Sequence, residues 1–270
     1  MHAFEYHRPS SLKDALALGA QKTEGKFLAG GQSLVQAMKL RLSSPTDLID
    51  LGAIGDLKAL SADANSVTIG AMVRHADVAA SGAVQKTIPA LAQLAGMIGD
   101  RQVRHLGTLG GSLANSDPAA DYPAAVLGLG ATITTNKRKI EGDKFFTGLY
   151  ETALEPGELI TQVTFPAPKR AAYMKFKNPA SRFALVGVFV ADFGGSGGKE
   201  AVRVGVTGAG PYAFRQSEME KALAQKFAPE SVANIKVKPD GLNNDLHASP
   251  EYRAHLITVM AKRAVEAALK

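Results

Sequence analysis

The sequence contains no cysteine and no tryptophan among its 270 residues. Without cysteine the chain cannot form a disulfide, use a thiol nucleophile or hold an iron–sulfur cluster on its own thiolates. Any redox chemistry of this chain therefore has to come from a bound organic cofactor.

Long apolar segments are also absent. Met1–Glu5 has neither the basic nor the apolar segment of a secretory signal, and the longest apolar run, Ala184–Ala191, is too short to span a bilayer. We therefore expect a soluble, cytoplasmic protein with no membrane span.

Charge of one sign is not concentrated anywhere. The formal charge is +6, and the densest basic run is only Lys137–Lys139. Nucleic-acid-binding proteins usually concentrate such charge in a patch with aromatic neighbours, so we expect no nucleic-acid partner. A mildly basic surface suits an anionic cofactor or an acidic partner subunit. With 46% apolar residues, the chain can bury a sizeable core divided over two or three lobes.

Two glycine pairs are the most informative features that are present. The first glycine motif is Ala29-Gly30-Gly31-Gln32-Ser33, and the second is Thr108-Leu109-Gly110-Gly111-Ser112. Glycines at such junctions let backbone N–H groups approach a ligand closely. Neither motif matches the Rossmann or P-loop pattern, so phosphates would sit in backbone nests and at a helix N-terminus. Two loops about eighty residues apart favour an extended dinucleotide held from two sides.

The hydrophobic pattern predicts an α+β protein in three parts: lobe 1 (residues 1–55), lobe 2 (residues 56–168) and a C-terminal domain (residues 169–270). In lobe 1, Ser11 with Asp14 predicts a helix start, and a buried strand is expected over Lys26–Ala29. In the C-terminal domain we expect an antiparallel sheet and a long amphipathic helix over Pro250–Leu269.

Lobe 2 should begin with a strand at Val67–Gly70. A short helix should start at His75, and a longer one should cover Ile88–Met97. Ile98–Gly107 reads as a connection to the second glycine motif. Asp117 with Pro118 predicts the cap of a helix over Ala119–Leu129.

Other motifs carry less chemistry. Gly194–Gly198 formally matches the G-x-S-x-G nucleophile elbow, but strands are expected on both sides, which favours a hairpin tip. The six histidines show no metal-ligand spacing, and His105, beside the second motif, is best interpreted as solvated or structural. Asp121 would project from the helix after the second motif, where a functional role and a structural one are equally supported.

The chain resembles the FAD-binding medium subunit of molybdenum hydroxylases, the carbon monoxide dehydrogenase and xanthine dehydrogenase group. The resemblance covers essentially the whole chain and rests on segments that recur in this order. These are Phe4-Glu5-Tyr6, both glycine motifs, Leu48-Ile49-Asp50-Leu51, Gln102-Val103-Arg104, Asp117-Pro118-Ala119-Ala120-Asp121, Gly157-Glu158-Leu159-Ile160 and Phe176-Lys177. It implies a two-lobed FAD-binding domain of the vanillyl-alcohol-oxidase-like (PCMH) type. A C-terminal α+β domain with an antiparallel sheet would follow.

The resemblance also implies which residues bind FAD. The glycine motifs would hold the diphosphate and ribityl parts, Asp121 would contact the cofactor, and three further residues would line the isoalloxazine ring. The full set is Lys26, Phe27, Leu28, Ala29, Gly30, Gly31, Gln32, Ser33, Ile98, Thr108, Leu109, Gly110, Gly111, Ser112, Asp121, Ile160 and Lys177. Many relatives have Asn at the position of Ser112, so one contact is expected to be shorter or lost. No catalytic or metal-ligating residue is implied.

The implied role is electron transfer within a heterotrimer. A large subunit would carry the molybdenum cofactor, and a small subunit would pass electrons through [2Fe–2S] clusters to the FAD of this chain. An external acceptor would then receive them. The absence of cysteine excludes the branch whose medium subunit holds a [4Fe–4S] cluster. Two alternatives remain: a self-contained FAD-dependent oxidoreductase of the same fold, and a non-enzymatic basic binding protein.

Overall fold

The computed structural model describes residues 1–195 and 201–270. Lobe 1 is built on a three-stranded parallel sheet in the order β1-β3-β2. Its elements are β1 (Glu5–His7), α1 (Leu12–Gln21), β2 (Lys26–Leu28), α2 (Leu34–Lys39) and β3 (Asp47–Asp50). The predicted start of α1 is confirmed, because the Ser11 side chain accepts a hydrogen bond from the Asp14 N–H. The β2 strand is half-exposed rather than buried, since it forms an edge of a small sheet.

Lobe 2 surrounds a five-stranded antiparallel sheet in the order β4-β5-β10-β6-β7. Its first half comprises β4 (Leu60–Ala62), β5 (Ser66–Gly70), α3 (His75–Ala80), α4 (Gly82–Thr87), α5 (Pro89–Gly96), α6 (Arg101–Leu106), α7 (Leu109–Asn115) and α8 (Tyr122–Leu129). Its second half comprises β6 (Thr132–Thr135), β7 (Lys139–Glu141), β8 (Phe146–Gly148), β9 (Glu151–Thr152) and β10 (Ile160–Pro166). The predicted strand at Val67–Gly70 and the helix beginning at His75 are confirmed.

Three predictions for lobe 2 were wrong. The expected connection Ile98–Gly107 contains α6, which Asp100 caps by accepting from the Val103 N–H. Gly110 and Gly111 lie inside α7 rather than in a loop, because the Thr108 hydroxyl caps that helix. The next helix, α8, begins at Tyr122 rather than Ala119, since Asp117 uses its carboxylate to close a short turn onto the Ala119 N–H.

The C-terminal domain carries the predicted antiparallel sheet, in the order β11-β12-β13-β14. Its elements are β11 (Arg170–Lys177), β12 (Ala184–Asp192), β13 (Val202–Thr207), β14 (Phe214–Arg215), α9 (Ser217–Gln225), α10 (Glu230–Ala233) and α11 (Pro250–Ala268). The Ser196 of the formal G-x-S-x-G match lies outside the described residues.

The central strand β12 is buried along its whole length because both faces are covered. Phe189 and Ala191 point into the core of lobe 2, whereas Val186, Val188 and Val190 pack with α11. This alternation follows from the two-residue period of a strand. The sheet of the C-terminal domain therefore serves as a wall shared with lobe 2.

Two glycines allow α8 to press against this wall. A Cβ on Gly205 in β13 would overlap the carbonyl oxygen of Ala124, and a Cβ on Gly128 would lie 2.8 Å from the Phe189 ring. Real Cβ atoms do not tolerate such distances, so the close contact depends on the absence of side chains here. The helix that follows Asp121 is thereby fixed to the C-terminal sheet.

Replacing Gly205 with alanine should force α8 away from β13. We expect Gly205→Ala to lower the free energy of unfolding by about 2–3 kcal/mol, the usual cost of an overpacked core. Urea denaturation measures the difference. Gly82→Ala is the matched control, because a Cβ there meets nothing within 4 Å. Equal stability of the two variants would contradict the close contact.

Candidate functional site

The two glycine motifs meet at the boundary of lobes 1 and 2. A Cβ on Gly30 would overlap the backbone of Leu106 and lie 2.7 Å from the Gly107 Cα. A Cβ on Gly111 would lie 3.2 Å from the Ala29 Cβ. The structure therefore brings together the two motifs that the sequence singles out. At Gly30 the glycine is needed for this backbone approach between the lobes.

The first glycine motif presents free donors. Gly31 has a positive φ of 70°, and α2 begins directly after Ser33. Among residues 1–195 and 201–270, the N–H groups of Gly31, Gln32 and Ser33 have no hydrogen-bond acceptor. Consecutive N–H groups around a left-handed residue form a concavity suited to an anion.

The second glycine motif differs, because the N–H groups of its last four residues, 109–112, are already used. Leu109 and Gly110 donate to the carbonyls of Val73 and Ala71 at 3.0 and 2.8 Å. Gly111 donates to the Thr108 hydroxyl at 3.1 Å, and Ser112 donates to the Thr108 carbonyl at 3.0 Å. Leu109 and Gly110 are also buried, so they support the site from behind. Direct contact of these two residues with a ligand stays a prediction.

A cavity of about 600 Å³ lies between the lobes. It is lined by Ala29, Gly30, Gly52, Lys58, Leu60, Met72, Val73, Arg74, Asp77, Leu106 and Thr108. This volume is within the range of small-molecule and cofactor sites. Ala29, Gly30 and Thr108 are predicted site residues, so the cavity adjoins both motifs.

Two cations that line this cavity, Lys58 and Arg74, are not predicted from the sequence. The Lys58 ammonium donates to the Gly52 carbonyl at 2.6 Å, and Arg74 pairs with Asp77 at 2.7 Å. Neither lies in a recognisable motif. Only the folding of lobe 1 against lobe 2 places them beside the glycines.

Asp121 lies elsewhere, at the joint between lobe 2 and the C-terminal domain. It is 3% exposed and stands just before α8 instead of projecting from a helical face. Its carboxylate accepts from the Tyr173 hydroxyl at 2.6 Å and lies 2.9 Å from the Lys175 ammonium. Burial raises the pKa of Asp121, while Lys175 and the Tyr173 hydrogen bond oppose this rise.

Lys175, which no sequence motif marks, is the cation of this joint. The Lys175 side chain is 2% exposed and also donates to the Met97 carbonyl at 3.1 Å. Lys177 is exposed at the end of β11, where the pairing with β12 shifts between Phe176 and Lys177. A place for Lys177 at the flavin ring stays a prediction.

The remaining predicted residues lie in lobes 1 and 2. Ile98 is half-buried and follows Met97, and Ile160 is buried at the start of β10. In β2, Lys26 is exposed, while Phe27 and Leu28 pack on Gly19 and Gly31 respectively. Ile98, Asp121, Ile160 and Lys177 do not line the 600 Å³ cavity. We call these four residues the ring-end group, because the resemblance places them at or near the flavin ring.

His75 stands behind the second motif. The backbone N–H of His75 donates to the Gly107 carbonyl at 3.0 Å, and the His75 ring centroid lies 5.4 Å from that of Tyr122. Burial, with a contribution from Arg104, lowers the pKa of His75 to about 4. His105, by contrast, is exposed, as expected.

No group of three or more His, Asp or Glu side chains within the described ranges could hold a metal ion. No helix in that part of the chain is both long and apolar enough to cross a bilayer.

The buried His75 predicts a loss of stability in acid. Because its folded pKa lies below the unfolded value of about 6.5, the unfolded state binds more protons between pH 6.5 and 4. Stability should therefore fall as the pH drops through this range, with about 3 kcal/mol due to His75 at pH 4. Urea denaturation of His75→Gln should show a flatter pH dependence. The control is His105→Gln, and identical profiles for His75→Gln and wild type would refute this origin.

Comparison with known proteins identifies the family of both parts of the chain. Residues 2–168 match the FAD binding domain in molybdopterin dehydrogenase, and residues 171–268 match the CO dehydrogenase flavoprotein C-terminal domain. The chain is 34% identical to the carbon monoxide dehydrogenase medium chain of Hydrogenophaga pseudoflava, covering 98% of this chain and 96% of the relative. It is also 34% identical to the nicotine 6-hydroxylase medium subunit of Paenarthrobacter nicotinovorans, covering 97% and 96% respectively.

Solved structures show the same fold. A carbon monoxide dehydrogenase from Hydrogenophaga pseudoflava superposes with a TM-score of 0.90 at 35% identity, covering 99% of this chain and 98% of the other. Quinoline 2-oxidoreductase from Pseudomonas putida 86 gives a TM-score of 0.89 at 29% identity, covering 99% and 97%. The predicted α+β fold is confirmed. The chain belongs to the family of FAD-binding medium subunits of CO dehydrogenase-type molybdenum hydroxylases, as an oxidoreductase component.

Proposed function

We propose that this chain is the electron-transfer subunit of a heteromeric molybdenum hydroxylase. It takes electrons from the [2Fe–2S] clusters of a small subunit and passes them from FAD to an external acceptor. The observation that carries the proposal is the row of free N–H groups at Gly31, Gln32 and Ser33. They follow directly on Ala29 and Gly30, which line the cavity between the two lobes.

The residues at the cleft fit a dinucleotide diphosphate. Three free N–H groups would donate to phosphate oxygens, and Lys58 and Arg74 supply positive charge to the adjoining cavity. Asp77 is the carboxylate that lines this cavity, and Arg74 neutralises it. Ser112 has a half-buried side chain at the second motif and could add a hydroxyl contact in place of the commoner Asn.

The ring-end group would hold the flavin ring of the same cofactor. Ile98 and Ile160 supply apolar surface, and Asp121 with Lys175 supplies a buried pair of opposite charges. Lys177, which the resemblance places at the ring, lies two residues further along β11. Bound FAD would supply chemistry that accepts electrons singly or in pairs, while the protein orients the ring and tunes its charge.

Hydroxylation of a substrate is assigned to a partner subunit. Asp121 and Glu158, the carboxylates of lowest exposure, are occupied within the protein, by Tyr173 with Lys175 and by Arg138 with Thr135 respectively. Neither is placed as a free acid or base in the cavity. Relatives named as medium chains or as a subunit of a dehydrogenase complex support a large and a small partner.

Removal of the anion concavity should abolish FAD binding. Gly31 has a φ of 70°, so Gly31→Val must leave the left-handed conformation and turn the following N–H groups away. We expect the Kd for FAD to rise more than tenfold, measured by absorbance and fluorescence titration of the full chain. Gly157→Val is the matched control, with a φ of 71° and no atom within 4 Å of its Cβ.

Wild-type chain should bind one FAD and show an oxidised-flavin spectrum that the substrate of the assembled complex bleaches. A wild-type complex without extractable flavin contradicts the proposal. Substrate turnover by the isolated chain would favour the self-contained oxidoreductase instead.

A further inference from the structure

Asp121 is surrounded by groups from three elements. From β11, the Tyr173 hydroxyl donates at 2.6 Å and the Lys175 ammonium donates at 3.0 Å. From the start of α8, Tyr122 follows Asp121 in sequence, but its own buried hydroxyl has no hydrogen-bond partner in the described structure. From the end of α5, the Met97 carbonyl accepts from Lys175 at 3.1 Å.

The position of Tyr173 is built into the sheet. A Cβ on Gly187, the β12 residue paired with Lys175, would overlap the Tyr173 hydroxyl. The Tyr173 ring stacks on Phe189 with 6.2 Å between centroids. The tyrosine is completely buried, so its hydroxyl has one orientation toward Asp121 and no water with which to exchange.

We propose that Tyr173 is a positioning residue that, with Lys175, keeps the Asp121 carboxylate ionised beside the flavin ring, so that flavin reduction draws no proton to Asp121. This inference rests on the proposed function, because it places the ring against Asp121.

The charge balance at the joint gives the physical reason. Burial disfavours the ionised carboxylate and raises the pKa of Asp121, whereas both donors favour the ionised form. Tyr173 stays neutral and therefore acts as a donor, because burial and Asp121 raise its own pKa far above the ordinary value. Without the Tyr173 hydroxyl, Lys175 alone would oppose the effect of burial on the pKa of Asp121.

Addition of two electrons to the flavin brings negative charge toward Asp121. With both donors present, the carboxylate remains ionised in the oxidised and reduced protein. With one donor removed, Asp121 takes a proton from solvent when the flavin is reduced, and a new O–H bond forms on its carboxyl group. The reduction potential then depends on pH through one additional proton.

The test is the flavin midpoint potential of the FAD-loaded full chain between pH 6 and 8, with dithionite as the two-electron donor. Tyr173→Phe should retain FAD but show a steeper pH dependence than wild type. One extra proton per two electrons adds a tenfold factor per pH unit, or about 30 mV. Tyr122→Phe is the matched control, since it removes an equally buried hydroxyl that bonds nothing. It should keep the wild-type slope.

Equal slopes for wild type, Tyr173→Phe and Tyr122→Phe would overturn the inference. If Tyr173→Phe fails to fold or to hold FAD, Asp121→Asn decides. Loss of the carboxylate charge should raise the potential and leave the wild-type slope, and an unchanged potential would overturn the inference. Failure of the proposed function is recognised separately, because wild-type chain would then carry no flavin before any titration.

Discussion

The close contact between the first glycine motif and the chain at and just before the second is the constraint on which the candidate site depends. Gly30 lies against the backbone of Leu106 and Gly107, and Gly111 lies against the Ala29 methyl group. This contact places the free N–H groups of Gly31–Ser33 beside a cavity whose other wall belongs to lobe 2. A side chain at Gly30 would separate the lobes and enlarge the cleft.

The two glycine motifs differ in how their N–H groups are used. The N–H groups of Gly31, Gln32 and Ser33 in the first motif are free, while residues 109–112 of the second donate to Val73, Ala71 and Thr108. The second motif therefore acts mainly as a rigid surface on which the first can rest. At the other end of the site, Asp121 joins lobe 2 to the C-terminal sheet through Tyr173 and Lys175. In the proposed function, the C-terminal domain thereby contributes to the end of the site that would hold the flavin ring.

Local patterns in the sequence predict the parts of the fold that local forces decide. The cap at Ser11, the strand at Val67–Gly70 and the alternation in β12 are examples. The second motif was expected to be a loop, because its glycines disfavour helix, but capping by Thr108 and backbone bonds to lobe 2 outweigh that propensity.

Site residues that local sequence patterns do not predict are placed by tertiary packing. Lys58 and Arg74 reach the cavity only after the lobes pack together. The pairing of Asp121 with Lys175 likewise depends on the packing of the C-terminal sheet against lobe 2. The family resemblance supplied the identity of the cofactor, which spacing and composition left open between dinucleotides.

A crystal structure of the FAD-loaded chain is the decisive measurement for the proposed site. We expect diphosphate oxygens within hydrogen-bonding distance of the N–H groups of Gly31, Gln32 and Ser33, with the flavin ring beside Asp121 and Lys175. A diphosphate bound away from these three N–H groups, or a ring remote from the Asp121 joint, would contradict it.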